Sequence, residues 1–167
     1  MFTALNPTTE LKQRRPRLAI LPIGATEQHS HHLPLATDTL VVEAVARRVA
    51  QKLNAYCLPA LPFSISHMHR GCPGTVWLRN STLAAVAHDL AVSLLHEGFS
   101  QFVLFNGHGG NFILMPIVQD LNLEFPKLLT MTHDAWIPVV TGNMFPQNTS
   151  FLHGDEFETS CLLDLCK

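Results

Sequence analysis

The chain has 167 residues with a formal net charge of −2 at pH 7, and 47% of its residues are hydrophobic. This length suits a single domain, residues 1–167, with a substantial core, and the near-neutral charge predicts binding neither to nucleic acid nor to a membrane surface. Its four cysteines form no C-x-x-C pair, its first residues lack an apolar signal segment, and no apolar run approaches the ~18 residues that span a bilayer. We therefore expect a cytoplasmic protein with free thiols.

The first strong signal is a buried strand that leads into a polar loop. Residues 1–16 predict a leader with a helical turn, and residues 18–23 (LAILPI) are a short aliphatic run, typical of a strand covered on both faces of a parallel sheet. Glu27, His29 and Asp38 follow this strand. In open α/β sheets, sites lie just beyond the carboxyl ends of the strands, and carboxylates with imidazoles suit Zn²⁺, Mn²⁺ or Fe²⁺. The alternative is a solvated, histidine-rich loop.

Helices and strands then alternate along the chain. Residues 38–53 predict an amphipathic helix, which Asp38 could cap instead of binding metal. A strand interrupted by prolines is predicted over residues 56–63. The long loop that follows carries His67 and His69, and because loops of this length tend to be functional, we take His67 as a substrate contact.

The second half of the chain repeats this alternation. Its predicted helices cover residues 81–97, capped by Asn80 or Ser81 and closed by Gly98, and residues 112–123; its predicted strands cover residues 101–105 and 128–132. The glycine-rich NGHGGN segment places His108 after one strand, and Trp136 follows the other. Trp136 could stack on a substrate or pack in the core.

The order of these elements predicts a three-layer α/β sandwich. The sheet would be mostly parallel, with helices on both faces and right-handed crossovers. Polar clusters follow three of the four predicted strands, at the same edge of the sheet. This convergence predicts an active site at that edge.

Three ordered motifs resemble the creatininase (creatinine amidohydrolase) family. They are residues 23–38 (IGATEQHSHHLPLATD), residues 106–111 (NGHGGN) and residues 157–160 (FETS), which His153 precedes. The CPGT segment at residues 72–75 also fits the family. The resemblance extends from about Leu18 to the last residue and implies the creatininase-like fold.

The resemblance also implies a metal centre and a reaction. Two divalent ions (Zn, Mn or Fe) would be bridged by Asp38, and the family hydrolyses C–N bonds, often in cyclic amides, through a metal-activated water. The implied ligands are Glu27, His29, Asp38, His108 and Glu158. Glu158 could instead orient the water, and His153 is the expected acid for the leaving nitrogen, although both could simply begin a helix.

The sequence departs from the family pattern at several positions. Gly110 stands where creatininase itself has a glutamate for the second ion, so Glu158 becomes the expected replacement and creatinine a poor candidate substrate. Ser30 and His31 replace the usual Gly-Pro and add an imidazole beside the site. Family members commonly continue past residues 157–160, so we expect a form that is short at its carboxyl end. Because family members tend to be oligomers, a homo-oligomer is expected.

Three functions remain open from the sequence. The first is a metal-dependent amidohydrolase acting on the non-peptide C–N bond of a small cyclic or related amide. The second keeps the metals but cleaves a peptide, as mycofactocin-maturation members of the family do. The third is a non-catalytic truncated paralogue or metal-binding subunit. A phosphate cradle at residues 106–111 is disfavoured because the G-x-G-x-x-G and G-K-[ST] patterns are absent.

Overall fold

The fold is built around a parallel sheet. The computed structural model describes residues 1–135 and 153–165, and five strands within those ranges form one sheet in the order β1-β3-β2-β4-β5. All neighbouring strands are parallel, which confirms the predicted sheet. The strands are β1 (Phe2–Thr3), β2 (Leu18–Ile23), β3 (Tyr56–Cys57), β4 (Gln101–Asn106) and β5 (Leu129–Asp134).

The central pair of strands fixes where the site lies. β2 and β4 pair over their whole length, from Leu18 opposite Gln101 to Ile23 opposite Asn106. Their aliphatic runs are almost entirely buried, as expected for strands covered on both faces. Because parallel strands end at the same edge of a sheet, the loops that follow Ile23 and Asn106 lie next to each other.

The edge of the sheet beyond β2 differs from the prediction. The strand predicted over residues 56–63 is only the two-residue β3, because Pro59 has no N–H to donate to a ladder. The chain still runs beside β2, since the Leu61 N–H donates to the Pro22 carbonyl at 2.9 Å. The assignment of residues 1–16 entirely to a leader was wrong, because Phe2–Thr3 pairs with β3.

Helices cover both faces of the sheet. They are α1 (Thr8–Arg14), α2 (Thr37–Leu53), α3 (Asn80–His96), α4 (Leu114–Glu124) and α5 (Glu156–Leu165), with a short 3-10 helix at His67–His69. Ile20 and Phe105 pack with apolar residues of α2 in one cluster. Leu21 and Phe102 lie in the cluster that contains apolar residues of α3 and α4. Alternate residues of the central strands therefore feed two cores, one on each face.

The helix ends decide what Asp38 can do. α2 begins at Thr37, one residue earlier than predicted, and its N-cap residue Ala36 makes no side-chain cap bond. Asp38 therefore lies inside the first turn, where the partial positive charge of the helix amino end favours a carboxylate. The predicted side-chain caps of α3 were also wrong, since its N-cap is Arg79. Gly98 closes α3 as predicted, with φ of 86°.

In the two described ranges, no helix is both long enough and apolar enough to cross a membrane.

Candidate metal centre

A cluster of carboxylates and imidazoles forms where β2 and β4 end. The loop after β2 supplies two of its side chains, the first turn of α2 one, the loop after β4 one, the 3-10 helix one, and the beginning of α5 and the residues before it two. In that order they are Glu27, His29, Asp38, His108, His69, His153 and Glu158. Residues distant in sequence thus meet at the edge of the sheet where sites are expected.

When its ring is neutral, His29 presents a nitrogen without a proton to two carboxylates. Its Nδ1 lies 3.1 Å from the backbone carbonyl of Glu27. A carbonyl can only accept a hydrogen bond, so the neutral ring carries its proton on Nδ1. The Nε2 atom lies 3.1 Å from Oδ1 of Asp38 and 3.5 Å from Oε1 of Glu158. A lone pair therefore faces carboxylate oxygens.

His108 makes the same arrangement from the other side. Its Nε2 donates to the backbone carbonyl of Ile65 at 2.9 Å, so Nδ1 of the neutral ring has no proton. This Nδ1 lies 2.9 Å from Oδ2 of Asp38 and 3.2 Å from Oε1 of Glu27. The two oxygens of Asp38 thus face different histidines.

The carboxylates at the centre are buried beside the two imidazoles. Glu27 is fully buried and Asp38 is 5% exposed. When the imidazoles are neutral, both oxygens of Glu27 and Oδ2 of Asp38 lack a hydrogen-bond donor within the described part of the chain. Buried anionic oxygens without partners are costly, and here they face bare imidazole nitrogens that are also acceptors. Such a set fits divalent cations, whose carboxylate and imidazole ligands it supplies.

The pKa values of these groups describe the same attraction for positive charge. Burial lowers the pKa of His29 and of His108, but their bonds to Asp38, to Glu158 for His29 and to Glu27 for His108 outweigh it and raise both pKa values to about 10. Burial raises the pKa of Asp38, yet the two histidines bring it below its ordinary value. At neutral pH without a metal ion, each ring would therefore hold a proton at the nitrogen that faces the carboxylates, and a divalent cation would take the place of these protons.

A hydrogen-bonded network behind His108 fixes its position. The side-chain amide of Asn106 donates to Oδ1 of Asp134 at 2.8 Å. Oδ1 of Asn106 accepts from the backbone N–H of His108 at 3.1 Å and from Nδ2 of Asn111 at 2.9 Å. Oδ1 of Asn111 accepts from the Ile65 N–H at 3.2 Å, and the Ile65 carbonyl holds the His108 ring. These polar residues orient the imidazole as outer partners orient metal-binding histidines.

The sequence model of the creatininase family, described as creatinine amidohydrolase, matches residues 6–167. The chain belongs to the creatininase family. Among curated relatives, creatinine amidohydrolase of Pseudomonas putida is 30% identical over 87% of this chain and 63% of its own length. A 3-dehydro-scyllo-inosose hydrolase of Thermotoga maritima is 29% identical over 95% of this chain and 55% of its length. A mycofactocin precursor peptide peptidase of Mycolicibacterium smegmatis is 32% identical over 89% of this chain and 58% of its length. The chain thus spans less than two thirds of each of these relatives.

Solved creatininases share the fold. A manganese form is 27% identical, with a TM-score of 0.83 over 98% of this chain and 72% of that one. A glutamate-to-glutamine variant of Zn-Zn type is also 27% identical, with a TM-score of 0.81 over the same shares of the two chains. These likenesses confirm the predicted creatininase-like α/β fold.

Gly110 has no room for the glutamate expected from creatininase itself. A Cβ atom at this position would lie 2.4 Å from Nε2 of His108 and 2.6 Å from the Ile65 carbonyl oxygen. Those two atoms form the bond that orients the His108 ring. A side chain at position 110 is therefore incompatible with the way this chain holds His108.

The other predicted site residues fall in three places. Glu158 reaches the cluster with Oε1, while its Oε2 accepts from the Gly154 N–H at 2.6 Å. His153 stacks against His29 with ring centroids 4.3 Å apart. His67 is exposed in the 3-10 helix, and among the described residues no contact places it in the cluster. Trp136 lies outside the described residues.

His69 and Gln28 are the site residues that sequence reasoning did not select. His69, two positions after His67, has its Nε2 3.6 Å from Oε1 of Glu27. Gln28 contacts His69 and His153. The only sequence signal for Gln28 was its position between two predicted ligands, and for His69 its position just before the CPGT turn. The sequence could not show that His69 rather than His67 faces the cluster, because the 3-10 helix determines which of the two histidines points inward.

Proposed function

We propose that the protein is a divalent-metal-dependent amidohydrolase that cleaves the C–N bond of a small cyclic or related amide. The observation that carries this proposal is the arrangement of His29, His108 and Asp38. Nε2 of His29 and Nδ1 of His108, the nitrogens that carry no proton in the neutral rings, face the two oxygens of one buried carboxylate. Family membership supports the reaction class, since the named relatives include hydrolases of an amide and of a peptide.

Two groups of ligands are available around Asp38. Glu27, Asp38 and His108 would hold one ion, and His29, Asp38 and Glu158 would hold the other, so that Asp38 is shared. Cations bound there would supply a water molecule of lowered pKa and polarisation of the substrate carbonyl. Three carboxylates balance most of the charge of two divalent ions. Glu158 takes the place of the ligand that Gly110 lacks.

His153 is the residue placed to move a proton. Its Nε2 donates to the backbone carbonyl of Gln28, so Nδ1 of the neutral ring is bare and lies 3.7 Å from Oε1 of Glu27. A proton accepted at Nδ1 is then available for the nitrogen that leaves when the C–N bond breaks. The side chain is one-quarter exposed, so it borders the opening of the site.

A peptide substrate is the second candidate. The peptidase relative matches this chain as closely as the creatinine amidohydrolase does, with 32% identity against 30%. Both reactions use the same residues, because each requires attack on an amide carbonyl and protonation of a leaving nitrogen. The substrate alone distinguishes them.

Metal content is the first test. Elemental analysis of the chain purified without chelator should find about two ions per chain, and Asp38→Ala should lose both, because each ion shares that carboxylate. Glu43→Ala, a change at a partly exposed residue on the same helix, is the matched control and should keep both. A native chain with one ion or none would contradict the dinuclear centre.

The metal-loaded chain should then be assayed on small cyclic amides and, separately, on a mycofactocin precursor peptide. Hydrolysis of peptides alone would move the proposal to the second candidate, and loss of activity in Asp38→Ala should accompany loss of metal. We also propose a homo-oligomer, which light scattering of the purified chain tests.

A further inference from the structure

The orientation of the Gln28 side chain is determined by its neighbours. Its Oε1 accepts a hydrogen bond from the backbone N–H of Ser30 at 3.0 Å. Exchanging oxygen and nitrogen would place the amide NH₂ against that N–H, so the assignment is fixed by bonding. The amide nitrogen Nε2 therefore lies on the other side, 3.0 Å from Nδ1 of His69.

The orientation of Gln28 determines the tautomer of His69. An amide NH₂ only donates, so Nδ1 of His69 accepts and carries no proton. The neutral ring then has its proton on Nε2, the nitrogen that faces the metal cluster. The nearest carboxylate oxygen it faces, Oε1 of Glu27, lies 3.6 Å away, which is too long for a hydrogen bond. His69 thus presents an unused N–H donor to the cluster.

Gln28 holds the opposite tautomer on the neighbouring ring. Its backbone carbonyl accepts from Nε2 of His153, which leaves Nδ1 of that ring bare. The rings of His69 and His153 are stacked, with centroids 4.4 Å apart and planes 17° apart. One residue therefore sets a donor and an acceptor side by side at the edge of the cluster.

This tautomer argues against His69 as a metal ligand. The ligand atoms of Glu27, His69 and His153 lie within 4.8 Å of one another, a spacing that an ion could bridge. A nitrogen that carries a proton has no lone pair for a metal, however, and the other nitrogen of His69 faces Gln28. In the neutral tautomers of His29 and His108, by contrast, the nitrogen that faces the carboxylates carries no proton and could bind a metal ion.

We propose that His69 is a substrate-binding catalytic residue that donates a hydrogen bond from Nε2 to the oxygen of the scissile carbonyl, and that Gln28 is the positioning residue that keeps this proton there. The inference rests on the proposed amidohydrolase function and deepens it. A preorganised donor near an oxygen that gains negative charge stabilises the transition state more than the ground state. The Nε2–H donor of His69 favours substrates whose carbonyl oxygen is free to accept a hydrogen bond.

The tautomers are tested directly by imidazole ¹⁵N NMR of the zinc-loaded full chain. Signals of His69 are assigned by difference from His69→Gln. We expect a protonated Nε2 and a bare Nδ1 in the native chain. Gln28→Glu retains the acceptor for the Ser30 N–H but replaces the donor with a second acceptor, so the proton of His69 should move to Nδ1. A native His69 with its proton on Nδ1 would overturn the proposal.

Zinc content and kinetics test the role. His69→Leu and His69→Gln should bind as much zinc per chain as the native protein, and loss of an ion would mean that His69 is a ligand. With a hydrolysed amide in hand, kcat of His69→Leu should fall by about 10²–10³, as when a donor to an oxyanion is removed, with little change in KM. His69→Gln, which retains an N–H donor, should recover part of this loss.

His96→Leu, an exposed histidine on α3, is the matched control and should change neither zinc content nor kcat. An unchanged kcat in His69→Leu would overturn the catalytic role. A native chain that hydrolyses no amide would instead contradict the proposed function, while the NMR and zinc measurements would still decide the state of His69.

Discussion

Replacing Gly110 with alanine should damage the metal centre without touching a ligand. The new Cβ would stand 2.4 Å from Nε2 of His108 and 2.6 Å from the carbonyl oxygen of Ile65, closer than real Cβ contacts. Because one of these atoms is backbone and the other belongs to a ring 4% exposed, neither can swing into solvent. The bond between them must lengthen or break.

The expected cost follows from two effects. Overpacking a filled site costs about 1–3 kcal/mol. Leaving a buried donor or acceptor without its partner costs about 1–3 kcal/mol more. We therefore expect Gly110→Ala to lower the free energy of unfolding by about 2–6 kcal/mol. For a chain of this size, this corresponds to a fall in Tm of roughly 4–24 °C. Because the broken bond orients the His108 ring, zinc affinity should fall by about 10–100-fold.

Gly109→Ala is the matched control. A Cβ at Gly109 would meet no atom within 4 Å, and neither glycine has a positive φ. Its stability should therefore lie within about 0.5 kcal/mol of the parent or slightly above it. Urea unfolding and competition with a zinc chelator give the two quantities. The reasoning is refuted if Gly110→Ala matches Gly109→Ala in both.

Three further outcomes are expected. Chelation of bound metal should lower the thermal midpoint, measured by calorimetry, because ions that bind only the folded chain stabilise it; an unchanged midpoint would contradict the site. Asn106→Leu should lower the free energy of unfolding, measured with urea, by about 2–4 kcal/mol, since it strands the His108 N–H and groups of Asn111 and Asp134, whereas Asn122→Ala, on α4, removes bonds to Thr130 alone and should cost less. Burial raises the pKa of the Cys57 thiol, so alkylation at pH 8 should be slow until urea unfolds the chain, and fast reaction beforehand would oppose this.

The elements predicted with most success from sequence are those with a strong apolar pattern. The helix over residues 38–53 has apolar residues at helical spacing and the strand over residues 18–23 is continuously apolar, and each pattern matches the surface that the element buries. β1 has no recognisable sequence pattern, since this two-residue strand forms only because Tyr56–Cys57 offers an open edge of the sheet. The absence of side-chain caps on α2 and α3 was also invisible, because capping residues stood at plausible positions.

The site was visible in type but not in detail. The structure brings Glu27, His29, Asp38, His108 and Glu158 together, as the motifs suggested, although their role as ligands stays a prediction. The state of each imidazole depends on backbone carbonyls, such as that of Ile65, which no sequence pattern records. His69 was missed for the same reason, since its function depends on an amide 41 positions away.

The separation of Glu27 from His108 and Glu158 along the chain has a consequence for biosynthesis. While the chain emerges from the ribosome, Glu27, His29 and Asp38 are made early. His108, the second imidazole that faces Asp38, is made only after 70 further residues. Long-range closures are slow and come late in folding. The nascent chain therefore has only part of the proposed ligand set, and if the protein binds metal as proposed, the choice among Zn²⁺, Mn²⁺ and Fe²⁺ would fall to the finished fold and to the metal supply that it then meets.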